Sequence, residues 1–357
     1  MFTIKFRIKK KMTMSESLKE IKFLNDLPDQ VIVIDKFKTI NFANKSAKTR
    51  FGSNIESQNI SSIVRDAELL DQIDKSLEKN QGGILDIEIK APNFQYYKVS
   101  VMPGPKNLLN TSDSVIIFFK DLTDIIKVQK LKSDFVANVS HELRTPLQSI
   151  KLGLETINNG HASKDLESQK KILPVVLQQT SRMESIVNDL LSLSRIELQE
   201  HIRPSEKVDL NEIISHSIDL NKEIIKKNNM SCSFDKQSDN IKINGDRNRL
   251  IEVFNNLIDN AIKYSEKNKK IKITTKSKDN NFHAIVEDEG IGISKENIPQ
   301  ITERFFRVNP AKSKEVGGTG LGLAIVKHIV NQHRAEMSIT SELNKGTCIS
   351  LVFPISL

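Results

Sequence analysis

Cysteine is scarce in this chain of 357 residues, and long apolar runs are missing from it. The two cysteines, Cys232 and Cys348, lack the short spacing of a metal site, so we expect reduced thiols in a reducing compartment. The longest apolar candidate, at residues 115–119, is far shorter than the roughly 20 residues that a membrane-spanning helix needs. The N-terminus also lacks a signal-peptide pattern. These absences predict a soluble, cytoplasmic protein.

The net charge of +8 comes mostly from basic residues scattered along the chain, so we expect no nucleic-acid partner. The local exception is residues 1–12, MFTIKFRIKKKM, within a basic N-terminal segment at 1–14. One interpretation is a frayed basic start. The other is a segment that contacts an anionic membrane surface, which would place the protein at the inner face of the plasma membrane.

Residues 15–120 are predicted to form a small α/β domain. Short β-rich runs occur at residues 31–34, 39–42, 84–89, 96–102 and 114–119. Pro and Gly separate the later runs, as in turns between strands. This order favours an antiparallel sheet with helices on one side.

A helical pattern replaces the strand pattern in residues 121–202. Apolar residues recur every three or four positions from Leu131 to Ile157, and Asn159-Gly160 indicates a helix stop. A second helix is predicted over 174–197, with a coiled-coil-like seam. A lone hairpin cannot bury both apolar stripes. We therefore predict a homodimer in which two hairpins form a four-helix bundle.

His141 lies on the first predicted helix, nearly opposite its apolar stripe, and should therefore face solvent. Glu142 can accept a hydrogen bond from Nδ1, which would leave Nε2 as the nucleophile. Thr145 lies one turn later on nearly the same face. Pro146 cannot donate a backbone hydrogen bond and should bend the helix there.

The run FVANVSHELRTPL at residues 135–147 resembles the phosphoacceptor box of bacterial sensor histidine kinases. The resemblance implies that His141 is phosphorylated with the assistance of Glu142. It also implies that Thr145 orients a water when such a kinase dephosphorylates its partner.

Polar residues gather on one face of the predicted helix 249–264, where Asn256, Asn260 and Lys263 lie opposite the apolar face. Asparagine oxygens suit Mg²⁺, and a lysine can meet a phosphate as a point charge. An ordinary solvated helix face is the alternative interpretation of this triplet.

Two glycine-rich segments follow. Asp288 begins DEGIGI after an alternating strand and can accept a hydrogen bond from an adenine amino group, while glycines let the backbone approach the base. The loop GGTGLG at 317–322 opens an apolar helix and can present N–H groups to phosphates. It fits neither the Walker nor the Rossmann pattern. Before it, the run RFFR ends at Arg307, which can reach a γ-phosphate.

In this order and spacing, these pieces resemble the N, G1, F and G2 boxes of the same kinases, whose ATP-binding fold is shared with gyrase and Hsp90. The resemblance implies a Bergerat-type α/β sandwich over 203–357 that binds ATP and Mg²⁺. The implied nucleotide residues are Asn256, also the Mg²⁺ ligand, and Asn260, Lys263, Tyr264, Asp288, Gly290, Gly292, Arg307, Gly318, Thr319, Gly320, Leu321 and Gly322. The sequence departs from the pattern at Thr302, where an aromatic residue is usual.

The start of the first domain, LPDQVIVID at 27–35, resembles a PAS sensor domain, as does the tetrapeptide DLTD at 121–124 that follows it. Residues 15–119 contain no histidine or cysteine, which disfavours a histidine-ligated haem or a flavin–cysteine photosensor. A PAS domain that relays signals or dimerises with an empty core is the alternative to a ligand-binding one. The spacing and the run LLSLSRIE resemble phosphate-regulon sensor kinases.

The predicted protein is thus a multidomain α+β sensor histidine kinase that phosphorylates His141 and transfers the group to an aspartate of a response regulator. Two alternatives remain. One is a nucleotide-binding scaffold without kinase activity, which should lack an Asn, Asp or His that this sequence retains. The other is a gyrase- or Hsp90-type ATPase, which leaves the hairpin unexplained.

Overall fold

The computed structural model describes residues 23–90, 94–105, 113–159, 166–237, 241–309 and 317–355. The chain divides into two compact units, 1–134 and 135–357. The basic segment 1–14 and the hairpin turn at 160–165, including the predicted stop residue Gly160, lie outside the described residues.

The first unit contains a five-stranded antiparallel sheet with the order β2-β1-β5-β4-β3. The strands are β1 Gln30–Asp35, β2 Ile40–Ala43, β3 Gly83–Ile89, β4 Gln95–Pro103 and β5 Ser114–Asp121. The predicted antiparallel sheet is confirmed, with each strand within two residues of its expected ends.

Short helices complete this unit: α1 Lys45–Phe51, a 3₁₀ turn Ile60–Ser62 and α2 Ala67–Lys79. Asn44 and Asp66 cap the two α-helices through side-chain oxygens that accept first-turn N–H groups. Tyr97 and Phe119 meet edge to face at 6.0 Å within the core between helices and sheet.

The hairpin consists of α3 Thr123–Asn159 and α4 Leu166–Gln199. The predicted start of the second helix at Pro174 was wrong, because the helix begins eight residues earlier (174 − 166) and contains Pro174 in its interior. A proline removes one backbone hydrogen bond, and packing along a long helix can offset that loss. The first helix likewise continues through Pro146. Within the described ranges, no helix is both long and apolar enough to cross a membrane.

The C-terminal part of the second unit is a five-stranded sheet of order β11-β12-β10-β9-β7, in which β7 runs parallel to β9. Its strands are β7 Ser231–Lys236, β9 Lys270–Lys278, β10 Asn281–Asp288, β11 Glu336–Glu342 and β12 Gly346–Pro354. A separate pair joins β6 Lys207–Asp209 and β8 Lys242–Asn244.

Among the described residues of this domain, three helices pack with the sheet: α5 Leu210–Lys227, α6 Arg247–Tyr264 and α7 Gly322–Gln332. The alternation predicted for β10 is confirmed, since Phe282, Ala284 and Val286 are buried in the shared core. Asp246 caps α6 by accepting the N–H groups of Asn248 and Arg249. The predicted nucleotide residues lie on α6, around the end of β10, and between β10 and the start of α7.

Candidate functional site

A cavity of about 210 Å³ lies between α4, α6, the end of β10 and the glycine-rich loop before α7. Many predicted nucleotide residues line it: Asn260, Lys263, Tyr264, Asp288, Gly292, Arg307, Gly318, Thr319, Gly320 and Gly322. The fold therefore brings segments that are far apart in the sequence to one place.

Helix α6 supplies the amide and amine side chains. Asn256 Nδ2 donates to the Glu252 carbonyl at 2.9 Å, and its acceptor Oδ1 faces Gly322. A Cβ at Gly322 would lie 2.6 Å from Asn256 Oδ1, so glycine permits this close approach. A hard oxygen beside a glycine-rich loop fits a Mg²⁺ ligand. Lys263 forms an ion pair of 2.6 Å with Asp259, one turn earlier.

Asp288 ends β10 and is held by the backbone. Its Oδ1 accepts the N–H of Gly290 at 2.8 Å and that of Thr347 at 3.2 Å. Burial raises the pKa of Asp288, although the two backbone hydrogen bonds act in the opposite direction. Gly292 has a φ of +65° and passes so close to the Glu342 carbonyl that a Cβ would collide with it. The arrangement orients a carboxylate at the wall of the cavity.

The glycine-rich loop is bonded to the segment that precedes it. Phe305 donates its N–H to the Gly320 carbonyl at 2.7 Å, and Thr319 Oγ1 accepts the N–H of Leu321 at 3.2 Å. Leu321 stands at the N-cap position of α7 with an apolar side chain that cannot accept a hydrogen bond. The first-turn N–H groups of α7 therefore suit an anion such as a phosphate.

Arg307 is directed to the hairpin. Its Nη2 donates to Glu142 Oε2 at 3.0 Å and to the Thr319 carbonyl at 2.9 Å, and its Nη1 lies 3.4 Å from Glu142 Oε1. Arg182 approaches the same carboxylate at 3.5 Å. The side chains of Arg307 and Glu142 are only 6% and 14% exposed, so this ion pair is largely shielded from water.

His141 is exposed, as its position on the helix predicted, with 67% of its side chain accessible. The expected hydrogen bond to Glu142 is not formed in this arrangement, because Nδ1 and Oε1 are 3.9 Å apart. The reason is that Glu142 is engaged by Arg307. Thr145 is also exposed, and its hydroxyl donates to the His141 carbonyl at 3.2 Å.

The cavity residues that the sequence prediction missed include two from the hairpin. Ser185 and Asp189 lie one turn apart on α4 and line the cavity beside the predicted nucleotide residues. Burial raises the pKa of Asp189, while a hydrogen bond from the Thr319 side chain and the charge of Lys263 lower it. The only available signal was an acidic residue next to the apolar seam of α4, which also describes many solvated positions.

Further contacts join the hairpin to the C-terminal domain. The rings of Phe135 and Phe305 lie 5.8 Å apart, and the guanidinium of Arg304 is 5.4 Å from the Phe135 ring centre. Arg304 also pairs with Glu197 at 2.5 Å. The predicted F box therefore contacts both hairpin helices, through a tilted ring pair, a cation–π contact and an ion pair, which supports one docked arrangement of the hairpin.

Two family models match the chain. The His Kinase A (phospho-acceptor) domain matches residues 131–199, and the "Histidine kinase-, DNA gyrase B-, and HSP90-like ATPase" model matches residues 245–357. The matched ranges coincide with the hairpin and with the fold around the cavity.

Two sensor proteins are similar to nearly the whole chain. The sensor-like histidine kinase SenX3 of Mycobacterium bovis is 30% identical over 348 residues, covering 96% of this chain and 81% of the relative. The phosphate regulon sensor protein PhoR of Pseudomonas aeruginosa is 29% identical, covering 92% and 72%. The fold is also similar to that of histidine kinase ThkA, solved with response regulator protein TrrA, with a TM-score of 0.50, 24% identity and coverage of 94% and 98%.

Proposed function

This chain belongs to the sensor histidine kinases, and from that membership we propose that His141 is the residue that receives the γ-phosphoryl group of ATP. The family uses ATP to phosphorylate itself on histidine and then transfers the group to a response regulator. The observation that carries the assignment to His141 is its exposed position on α3, within the matched phosphoacceptor domain and next to the Glu142–Arg307 pair.

The proposed reaction is an in-line displacement at phosphorus. His141 Nε2 attacks the γ-phosphorus, the bond from that phosphorus to the β,γ-bridging oxygen breaks, and ADP leaves with the electron pair. Glu142 would accept a hydrogen bond from Nδ1–H, which keeps its proton, and the carboxylate would so stabilise the positive charge that develops on the imidazole. In such a transfer, most of the rate enhancement comes from positioning the reactants and from neutralising the phosphate charge.

The nucleotide residues have distinct proposed roles. Asp288 accepts a hydrogen bond from the adenine amino group, while Lys263 and the N–H groups of the glycine-rich loop bind phosphates. Mg²⁺ would neutralise phosphate charge when bound, and Asn256 is its proposed ligand because its Oδ1 faces the glycine-rich loop. Arg307 is proposed to reach the γ-phosphate.

A rearrangement must precede this reaction. Arg307 and Glu142 form an ion pair in which Nη2 and Oε2 are 3.0 Å apart. While this pair persists, Arg307 cannot contact the γ-phosphate and Glu142 cannot accept a hydrogen bond from His141. We therefore interpret the docked arrangement as one that does not phosphorylate His141. Separation of the C-terminal domain from the hairpin would free both side chains.

A receiver domain is the proposed second substrate, with phosphotransfer from His141 to one of its aspartates. The ThkA structure was solved with a response regulator, which supports such a partner here. Thr145 is proposed to orient water for dephosphorylation of that partner, since its hydroxyl lies exposed one turn after His141.

The hairpin is also proposed to dimerise. Apolar side chains on both helices remain exposed in the single chain, including Leu147 at 54%, Leu154 at 50% and Leu177 at 65%. A second hairpin would cover such residues in a four-helix bundle. The PAS identity of the first domain, the domain limits 1–14, 15–120, 121–202 and 203–357, and a membrane contact through the basic start stay predictions.

Acid-labile labelling tests the proposed phosphoacceptor. The full chain would be incubated with γ-³²P-ATP and Mg²⁺, and protein-bound label would be measured before and after acid treatment. His141→Gln should abolish the label and keep ATP affinity within about threefold, since loss of a nucleophile need not change ground-state binding. His216→Gln is the matched control, because His216 is exposed on α5. Label retained by His141→Gln would refute the assignment.

A further inference from the structure

Asp189 places a carboxylate from the hairpin in the wall of the nucleotide cavity. It lies on α4, half-buried, and lines the cavity together with Lys263 and Thr319. The other cavity residues named above, apart from Ser185, come from the C-terminal domain, so the hairpin contributes an acidic group to a site that binds an anion.

The Asp189 carboxylate interacts with two groups that could otherwise bind a phosphate, the Thr319 hydroxyl and the Lys263 ammonium. The Thr319 hydroxyl donates its hydrogen to Asp189 while its oxygen accepts the N–H of Leu321, so its one donor is not available to a phosphate oxygen in the docked arrangement. The charge of Lys263 acts on the same carboxylate. Both partners belong to the part of the site where the nucleotide phosphates are expected.

The surroundings of Asp189 are otherwise acidic. Glu252 and Asp259 act on it as like charges, and Asp259 already pairs with Lys263 at 2.6 Å. Among the described residues that line the cavity, the cations Lys263 and Arg307 are each paired with a carboxylate, so additional negative charge from a polyphosphate would meet cations that are already engaged. The repulsion should increase with the number of phosphates, because Coulomb energy scales with the charge of the ligand.

Glu142 acts in parallel from the first hairpin helix. It engages Arg307 at 3.0 Å, and Arg307 in turn donates to the Thr319 carbonyl at 2.9 Å. Glu142 thus holds Arg307, and Asp189 holds the Thr319 hydroxyl and also interacts with the charge of Lys263. Ligand phosphates and the docked hairpin then compete for the same groups, and the coupling must be reciprocal.

We propose that Asp189 is a specificity-determining residue of the nucleotide site, whose carboxylate disfavours ATP relative to ADP while the hairpin is docked. This inference rests on the proposed binding of ATP in this cavity. Docking of the hairpin lowers the affinity for ATP, and binding of ATP releases the hairpin for the phosphorylation step. ADP, with one phosphate fewer, is tolerated better in the docked arrangement.

The test compares three ligands on the full-length chain at fixed Mg²⁺ and ionic strength. Calorimetric titrations with ATP, ADP and adenosine would be performed on wild type and on Asp189→Asn. The variant keeps the size of the side chain and removes its charge. We expect about tenfold tighter ATP binding, about threefold tighter ADP binding and adenosine binding within twofold, in the usual range of coupling between sites.

Two further variants separate charge from packing. Asp189→Glu keeps the charge and should keep the wild-type preference for ADP. Glu184→Gln removes an exposed charge from the same helix outside the cavity, and all three affinities should stay within twofold. Near-ultraviolet circular dichroism would check that each variant is folded.

Three results would overturn the inference. Equal changes for all three ligands in Asp189→Asn would indicate a packing role, and weaker ATP binding would indicate that the carboxylate helps to hold the bound cation. The same ATP effect in Glu184→Gln would indicate a general surface-charge effect. Self-labelling of wild type, measured in parallel, distinguishes these results from failure of the proposed function, in which wild type would neither bind ATP nor acquire label.

Discussion

Glu142 and Arg307 face each other across the hairpin and the C-terminal domain as a two-pronged ion pair, with N–O distances of 3.0 and 3.4 Å. Glu142 directly follows the proposed phosphoacceptor, and Arg307 belongs to the segment proposed to reach the γ-phosphate. One contact therefore withholds two groups from the reaction. Shielding from water strengthens the attraction between the two charges but also costs them hydration, and removal of either side chain would leave a partly buried charge without this partner.

Substitution of Arg307 should affect the phosphorylation step more than ATP binding. Arg307→Lys keeps the charge but loses the planar fork that suits phosphate and carboxylate, so we expect self-labelling to fall by at least about tenfold. ATP affinity should stay within about threefold. Initial rates with γ-³²P-ATP measure the first effect and titration measures the second. Arg247→Lys, at an exposed position of α6, is the control. Unchanged labelling of Arg307→Lys would exclude the proposed contact.

Asp288 should be required for ATP affinity. Asp288→Asn replaces one acceptor of the carboxylate with a donor that opposes either the adenine amino group or the backbone N–H groups of Gly290 and Thr347. We expect binding to weaken by about tenfold, the result of losing roughly 1.4 kcal/mol. Displacement of a fluorescent ATP analogue measures it. Glu287→Gln, on the opposite face of β10, should bind normally, and an equal affinity for Asp288→Asn would remove Asp288 from the adenine site.

The dimer prediction can be tested on the full chain by light scattering. Leu177 is 65% exposed on α4, and Leu177→Glu would place a charge in the proposed bundle seam. The wild type should have the mass of a dimer at micromolar concentration, and the variant should shift towards a monomer. Leu220→Glu is the control, because Leu220 is 55% exposed on α5. A monomeric wild type would contradict the four-helix bundle.

Thr145→Ala should remove dephosphorylation of the partner while sparing self-labelling. The hydroxyl lies on the exposed face after His141 and has no part in the proposed route from ATP to Nε2. Purified phosphorylated regulator would be mixed with the kinase and ADP, and phosphate release would be followed over time. Thr156→Ala is the control, since Thr156 also donates to a carbonyl of α3, at 2.7 Å. Equal release by wild type and Thr145→Ala would refute the role.

His333 should make stability depend on pH. Its Nε2 accepts the Asp246 N–H at 3.0 Å and Nδ1–H donates to the Ile329 carbonyl at 2.7 Å, so the neutral ring is required. Burial lowers the pKa of His333 below 6.5, despite the opposing influence of Ile329 and Asp246. Below about pH 6.5 the unfolded chain binds the proton more readily, and the free energy of unfolding should decrease as pH falls.

Urea unfolding of the full chain between pH 7.5 and about 5.5 measures this effect. His333→Gln should be less stable at neutral pH and should show a shallower decline than wild type over that interval. His216→Gln, with an exposed ring, should decline as wild type does. A wild-type free energy that rises on acidification would contradict the assignment of a neutral His333.

Local patterns in the sequence predicted much of the architecture. Period-two alternation in β10 indicates its buried face, and the three- and four-residue spacing in both hairpin helices indicates their apolar stripes, because side-chain direction follows directly from backbone geometry. Helix ends were less well predicted. Pro174 suggested a helix start, yet α4 begins at Leu166, since a long helix can accommodate a proline in its interior.

The sequence by itself determined which groups are the candidates for the chemistry: His141 on a solvent-facing side of its helix, a polar face on α6 and a glycine-rich loop before α7. The tertiary structure decided which of these groups meet. Glu142 pairs with Arg307, 165 positions away, rather than with the adjacent His141, and Asp189 enters the nucleotide cavity from the hairpin. Side-chain partners across two packed elements depend on how those elements dock, and no local period in the sequence encodes that geometry.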